Sequence, residues 1–103
     1  MQREFLDEVL RRLATEPDSV APGWEPAEIR HLRLLVQCAH AAVLATDMLN
    51  MRQLRLLPSL GDGANAWTVR LSARHTLTLR FKTDNTPMAV VFEISSPETG
   101  APR

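Results

Sequence analysis

Arg70 and Arg80 carry the clearest chemical signal in this 103-residue chain. Each sits in a run that alternates apolar and polar side chains, flanked by Thr68, Thr76 and Thr78, with Glu93 as the opposing charge in the neighbouring run. Guanidinium forks suit bidentate contact with phosphate or carboxylate, so this profile fits a surface that receives an anion. A solvated strand face, or a bridge to Glu93, is the plain alternative. Arg74 and Lys82 add charge beside the same runs, and His75 is the nearest group that can move a proton near neutral pH.

Other combinations carry less. His31, Cys38 and His40 resemble a metal set only in one dimension: on a helix His40 lies about 200° around from Cys38, so no common site forms and no metal is expected. Gly61-Asp62-Gly63 lacks the lysine-serine step and the helix start of a phosphate loop. No cofactor motif is present.

The arginines must be positioned by three runs of period two. Trp67, Val69 and Leu71 alternate with Thr68, Arg70 and Ser72; Leu77, Leu79 and Phe81 alternate with Thr76, Thr78 and Arg80; Met88, Val90, Phe92 and Ile94 follow. Successive strand residues point to opposite faces, which predicts one buried and one exposed sheet face. Keeping the first two apolar sets on one face requires paired residue numbers to sum to 146. The hairpin loop then has odd length, Ser72-Ala73-Arg74, and Arg70 pairs with Thr76. The same parity puts His75 on the buried face at the sheet edge, where it reads as structural, and Trp67 on that face against the second helix. Lys82 to Pro87 is a longer connection, and Met88–Ser95, if it were a sheet edge, would invite pairing with another strand.

Ahead of the strands, residues 3–14 place Phe5, Leu6, Val9, Leu10 and Leu13 at helical spacing and predict a first helix. A second helix starts at Pro26, with Glu28 in its first turn and Trp24 placed to staple on Ile29; its apolar stripe continues through Ala39, Ala42, Val43 and Leu49 for roughly six turns. Gly61–Asn65 reads as a loop, and residues 96–103 as a frayed tail. The expected architecture is α+β, two N-terminal helices packed on a three-stranded antiparallel sheet, in a single domain spanning residues 1–103.

Charge is zero overall but unevenly spread, with seven acids against three arginines in residues 1–28 and eight bases against two acids in residues 29–83. Neutrality argues against a strongly electrostatic nucleic-acid binder. Eleven of the twelve bases are arginine, a bias that fits anion contact or GC-rich coding alike. The lone Cys38 lies in an apolar helical pattern and reads as a small buried hydrophobe in a reducing compartment. No run of 18 apolar residues and no signal-type N-terminus is seen, so a soluble cytoplasmic protein is expected, without a membrane partner.

The order of elements, with Leu60-Gly61-Asp62, then Trp67-Thr68-Val69-Arg70-Leu71, Leu77-Thr78-Leu79-Arg80-Phe81 and Val91-Phe92-Glu93-Ile94, resembles the RelE/ParE superfamily of bacterial toxins, nearest its HigB-like killer-protein branch. The resemblance covers roughly the second half of the chain. It implies a toxin of a toxin-antitoxin system, a ribosome-dependent mRNA interferase or a degenerate relative, partnered by a cognate antitoxin, the ribosome and mRNA. It implies catalytic roles for Arg70 and Arg80, with His75 as the acid–base candidate, and RNA binding by Arg70, Arg74, Arg80 and Lys82. The chain departs from the pattern where Thr76 replaces an arginine, where His75 replaces an aromatic, and where Ser96-Pro97-Glu98 replaces an acidic-aromatic-histidine ending. The short N-terminal strand usual in the superfamily is not legible either. A non-enzymatic protein-binding module or a gyrase-inhibiting ParE-type toxin is therefore the alternative, and the Met88–Ser95 strand is the expected surface for an antitoxin strand or a homodimer.

Overall fold

The computed structural model describes residues 1–59, 65–84 and 88–95. Strand β1 (Gln2–Phe5) leads into helix α1 (Glu8–Thr15); α2 (Pro26–Ala41), α3 (Ala45–Leu49) and a 3-10 turn (Arg52–Leu54) follow; β2 (Leu57–Pro58), β3 (Ala66–Arg70), β4 (Thr76–Lys82) and β5 (Ala89–Ser95) complete the chain. The α+β class is as expected. In place of the expected two helices and three antiparallel strands, the described residues form three helices and a five-stranded mixed sheet of order β1-β5-β4-β3-β2.

The hairpin follows the parity of its side chains. Ala66 pairs with Arg80, Trp67 with Leu79, Thr68 with Thr78, Val69 with Leu77 and Arg70 with Thr76, and the Leu71 N–H donates to the His75 carbonyl at 2.9 Å. Ser72 to Arg74 is the loop, as the pattern requires. On the inner face Val69, Leu77, Leu79, Val90 and Phe92 are fully buried against Leu10 and Leu13 of α1 and Leu32 and Leu35 of α2. Burying an apolar side chain of this size contributes roughly 1.5–3 kcal/mol, so this single cluster holds the layers together. Trp67 packs on it only half-buried, less deeply than expected.

The N-terminus is a correction. Residues 2–5 form a strand in place of the first turn of a helix, because their backbone finds a partner: β1 lies parallel to β5, Gln2 opposite Ala89 and Phe5 opposite Phe92. The Phe5 and Phe92 rings stack at 5.3 Å. Helical periodicity survives only from Glu8, with Leu10 and Leu13 inward and Leu6 left exposed. Pairing with a distant strand has overridden a local pattern compatible with both states.

A second correction follows. Met88–Ser95 is not an edge: β5 lies between β1 and β4, and among the described residues the edges of the sheet are β1 and β2.

Helix α2 also stops earlier than its apolar stripe. Asp47 accepts the N–H groups of Val43 and Leu44, each at 2.9 Å, and so starts α3; a short acidic side chain competes for backbone donors in this way. The Met1 ammonium occupies the carbonyl end of α2, donating to Ala39 at 2.8 Å and also to Ala42, where positive charge is favoured by the helix dipole. The end of α1 is capped from a distance, the Arg33 guanidinium donating to the Leu13 and Glu16 carbonyls at 2.9 Å each. The expected glycine loop, apart from Asn65, and the frayed tail lie outside the described residues, as do positions 85–87 of the connection before β5.

Candidate functional site

The alternation that makes the sheet amphipathic also separates the residues named for chemistry. Arg70, Arg80 and Lys82 lie on the face opposite the helices; His75, paired one step beyond Arg70, lies on the helix face. The sheet therefore separates His75 from Arg70, Arg80 and Lys82. Along the sheet, four residues separate Arg80 from Thr76, the partner of Arg70, which is about 13 Å at the usual rise per strand residue. The two arginines do not converge. Arg70 Nε donates to the Ser72 carbonyl at 3.3 Å, whereas Arg80 Nε donates to Glu93 Oε1 at 3.3 Å.

The open face is consequently charge-paired over much of its area. Arg80 meets Glu93, and Lys82 Nζ reaches Glu4 on β1 at 2.9 Å. Between these pairs Ala66, Ala89 and Val91 are buried, and the Thr78 hydroxyl is bonded to Ser95. The bridge to Glu93 was legible as the alternative to phosphate binding. Glu4 was not, because the periodicity of residues 3–14 fits a helix and conceals the strand that carries it. Exposed pairs of this kind contribute about 0–1 kcal/mol, so they are exchangeable for an external anion but not poised for one.

The basic end of the sheet differs. Arg70 and Arg74 are exposed and, among the described residues, neither forms an ion pair. Both belong to the β3–β4 hairpin, whose loop is built around Ser72. The Ser72 Oγ accepts the Arg74 N–H at 3.0 Å and the His75 N–H at 3.3 Å, and its proton goes to Glu28 Oε2. A hydroxyl can serve as one donor and two acceptors at once, so Ser72 is saturated.

Glu28 is the residue that sequence reasoning underrated. Its first-turn position marked it only as a helix-start acid, yet its side chain is 2% exposed and receives three donors. Oε1 accepts the Glu25 N–H at 2.7 Å, half of a capping box. Oε2 accepts the Ser72 hydroxyl and the His75 Nδ1–H, the latter at 2.7 Å. Burial by itself pushes the Glu28 carboxyl up. The hydrogen bonds from Ser72, Glu25 and His75 together outweigh it and hold the group below its ordinary value.

His75 is seated rather than presented. Its ring stacks on Trp24 at 4.1 Å and 15°, and its side chain is 18% exposed. Trp24 thus spends its ring on His75, as well as packing at the core edge. A carboxylate on Nδ1 is how a general base is oriented, but Ser72 bonds the carboxylate and not the imidazole, so no serine–histidine nucleophile is assembled.

Elsewhere, a shallow cleft between α1 and the following segment is lined by Val9, Arg12, Leu13, Val20 and Pro22 and holds no acid–base pair. Among the described residues no group of three or more His, Cys, Asp or Glu could hold a metal ion, and no helix is long and apolar enough to cross a membrane. Among the described residues His31 Nε2 is buried without a hydrogen-bond partner, and burial, with Arg55 nearby, pushes its pKa down. Compared with known proteins, the chain matches no family model and no curated sequence.

Proposed function

We propose that the chain is a toxin of the RelE/ParE-like kind, nearest the HigB-like branch, restrained by a cognate antitoxin and acting on translating mRNA at the ribosome. The observation that carries this reading is the N-terminal strand. The superfamily usually has one, the sequence concealed it, and β1 lies in the sheet beside β5. With it the element order becomes strand, helices, then a terminal antiparallel meander carrying Arg70 and Arg80.

RNA contact falls first to the hairpin, where Arg70 and Arg74, which form no ion pair among the described residues, offer guanidinium groups to successive phosphates. Arg80 and Lys82 join by exchanging their half-exposed carboxylate partners for phosphate. An antitoxin strand, or a second copy of the chain, would add at β1 or β2, the edges of the sheet.

A second reading is favoured by one specific observation: His75 is held between Trp24 and Glu28, on the opposite sheet face from Arg70 and Arg80. That supports a relative of the same fold that acts by binding, either a gyrase-inhibiting ParE-type toxin or a protein-binding module. Induced expression followed by primer extension on cellular mRNA separates the two. New 5′ ends within translated messages are the result expected of the interferase. Growth arrest with intact messages favours the gyrase-directed form, and unimpaired growth with intact messages favours the binding module.

A further inference from the structure

We infer that Glu28 is a positioning residue for the arginine hairpin: through Ser72, its carboxylate fixes the loop geometry from which Arg70 and Arg74 meet an anion. This rests on the reading of the hairpin as an RNA-phosphate contact, and it assigns to a buried helix residue a part in binding that its own position does not suggest.

Five hydrogen bonds meet at Ser72, one of them from its own N–H to the His75 carbonyl at 3.3 Å. Its hydroxyl donates to Glu28 and accepts the backbone N–H groups of Arg74 and His75, while its carbonyl accepts Nε of Arg70. Backbone at one arginine and side chain at the other are therefore referred to the same residue, and that residue is tied to the first turn of α2. His75 gives the tie a second strand, because its ring is bonded to the same carboxylate oxygen and stacked on Trp24. A three-residue loop without such a tie would sample several conformations, and ordering it would be charged against binding. With the tie, the ordering is done on folding, and both guanidinium groups leave the loop from fixed points.

The carboxylate suits this task better than a neutral group. Bonds to an ionised acceptor are roughly twice as strong as neutral ones. Glu28 itself is too deeply buried to meet a phosphate by direct contact.

The test uses the whole chain and a fluorescein-labelled single-stranded RNA, with binding measured by anisotropy from 50 to 200 mM salt. Amide hydrogen exchange is followed by NMR in the same samples. Glu28→Gln and Ser72→Ala should remain folded, exchange the Arg74 and His75 amides at least about tenfold faster while Leu77 and Leu79 stay protected, and bind RNA about tenfold more weakly. The slope of log affinity against log salt should fall by about 0.7 for each phosphate no longer neutralised, as in Arg70→Ala/Arg74→Ala. Adding Glu28→Gln to that double variant should weaken binding no further.

Unchanged exchange and salt slope in a folded Glu28→Gln, beside an arginine double variant that has lost binding, would overturn the positioning role alone. A parent that binds no RNA, or an arginine double variant that binds like the parent, would overturn the RNA reading and the role of Glu28 with it. Should Glu28→Gln unfold, Ser72→Ala decides, since it removes the link and leaves the helix cap in place.

Discussion

Replacing Glu28 by alanine should destabilise the protein more than its place in the first turn of a helix would suggest. The substitution strands three donors at once: the Glu25 N–H, the Ser72 hydroxyl and the His75 Nδ1–H. Hydrogen bonds to a charged group contribute roughly 1.5–3 kcal/mol each, and they do not add when they share one carboxylate. Leaving a buried donor unsatisfied costs about 1–3 kcal/mol, and with three donors stranded at one carboxylate the expected loss is about 3–5 kcal/mol. For a domain of this size that corresponds to a fall in Tm on the order of 12–40 °C, against a total stability of about 5–15 kcal/mol. Urea unfolding followed by Trp emission measures it, and Glu28→Gln, which keeps an acceptor for Glu25, should lose only about 1–2 kcal/mol. The parent should also weaken in acid. The folded carboxyl lies below its ordinary value of 4.5, so as pH falls through that value the unfolded chain takes up the proton first, and stability drops until the folded pKa is passed. Glu28→Gln should flatten that slope. A loss below about 1 kcal/mol in Glu28→Ala, measured by a two-state urea transition, would refute the view of Glu28 as the tie between α2 and the hairpin.

His31 supplies an earlier acid transition: its folded pKa lies below 6.5, so stability should already decline as pH falls through 6.5, and the Tm difference between pH 7.5 and 5.5 should be smaller in His31→Leu than in the parent. Phe92→Ala, at a fully buried site stacked on Phe5, should cost about 3–5 kcal/mol in urea unfolding, and Trp67→Ala clearly less, since that ring is half-buried. His75→Gln should leave any RNA cleavage by the parent unchanged in single-turnover assays; a loss of about 10²-fold with the fold intact would make His75 an acid–base catalyst.

What was legible in the chain was local. Period two marked Trp67–Leu71, Leu77–Phe81 and Met88–Ile94 as strands, and parity alone gave the Arg70–Thr76 register and the face of His75. What was hidden depended on distant partners. Residues 2–5 fit a helix until β5 offers them a ladder, and with β1 unseen both the Glu4–Lys82 pair and the interior position of β5 were unseen too. The end of α2 escaped because the signal for it, Asp47, lies inside an apolar stripe that continues past the break. In the candidate site the arginines could be named from composition and spacing. Glu28 could not, because a first-turn acid looks the same whether it faces water or receives a serine and a histidine from 44 and 47 residues away.

The central claim, a toxin that works through its arginine hairpin, is tested most directly by growth after induced expression of the parent and of Arg70→Ala/Arg74→Ala in cells without the antitoxin. The two proteins should accumulate equally and melt within a few degrees of each other, since exposed charges contribute about 0–1 kcal/mol. The parent should arrest growth and the double variant should not. Unimpaired growth with the parent fully accumulated, or equal arrest by the double variant, would contradict it.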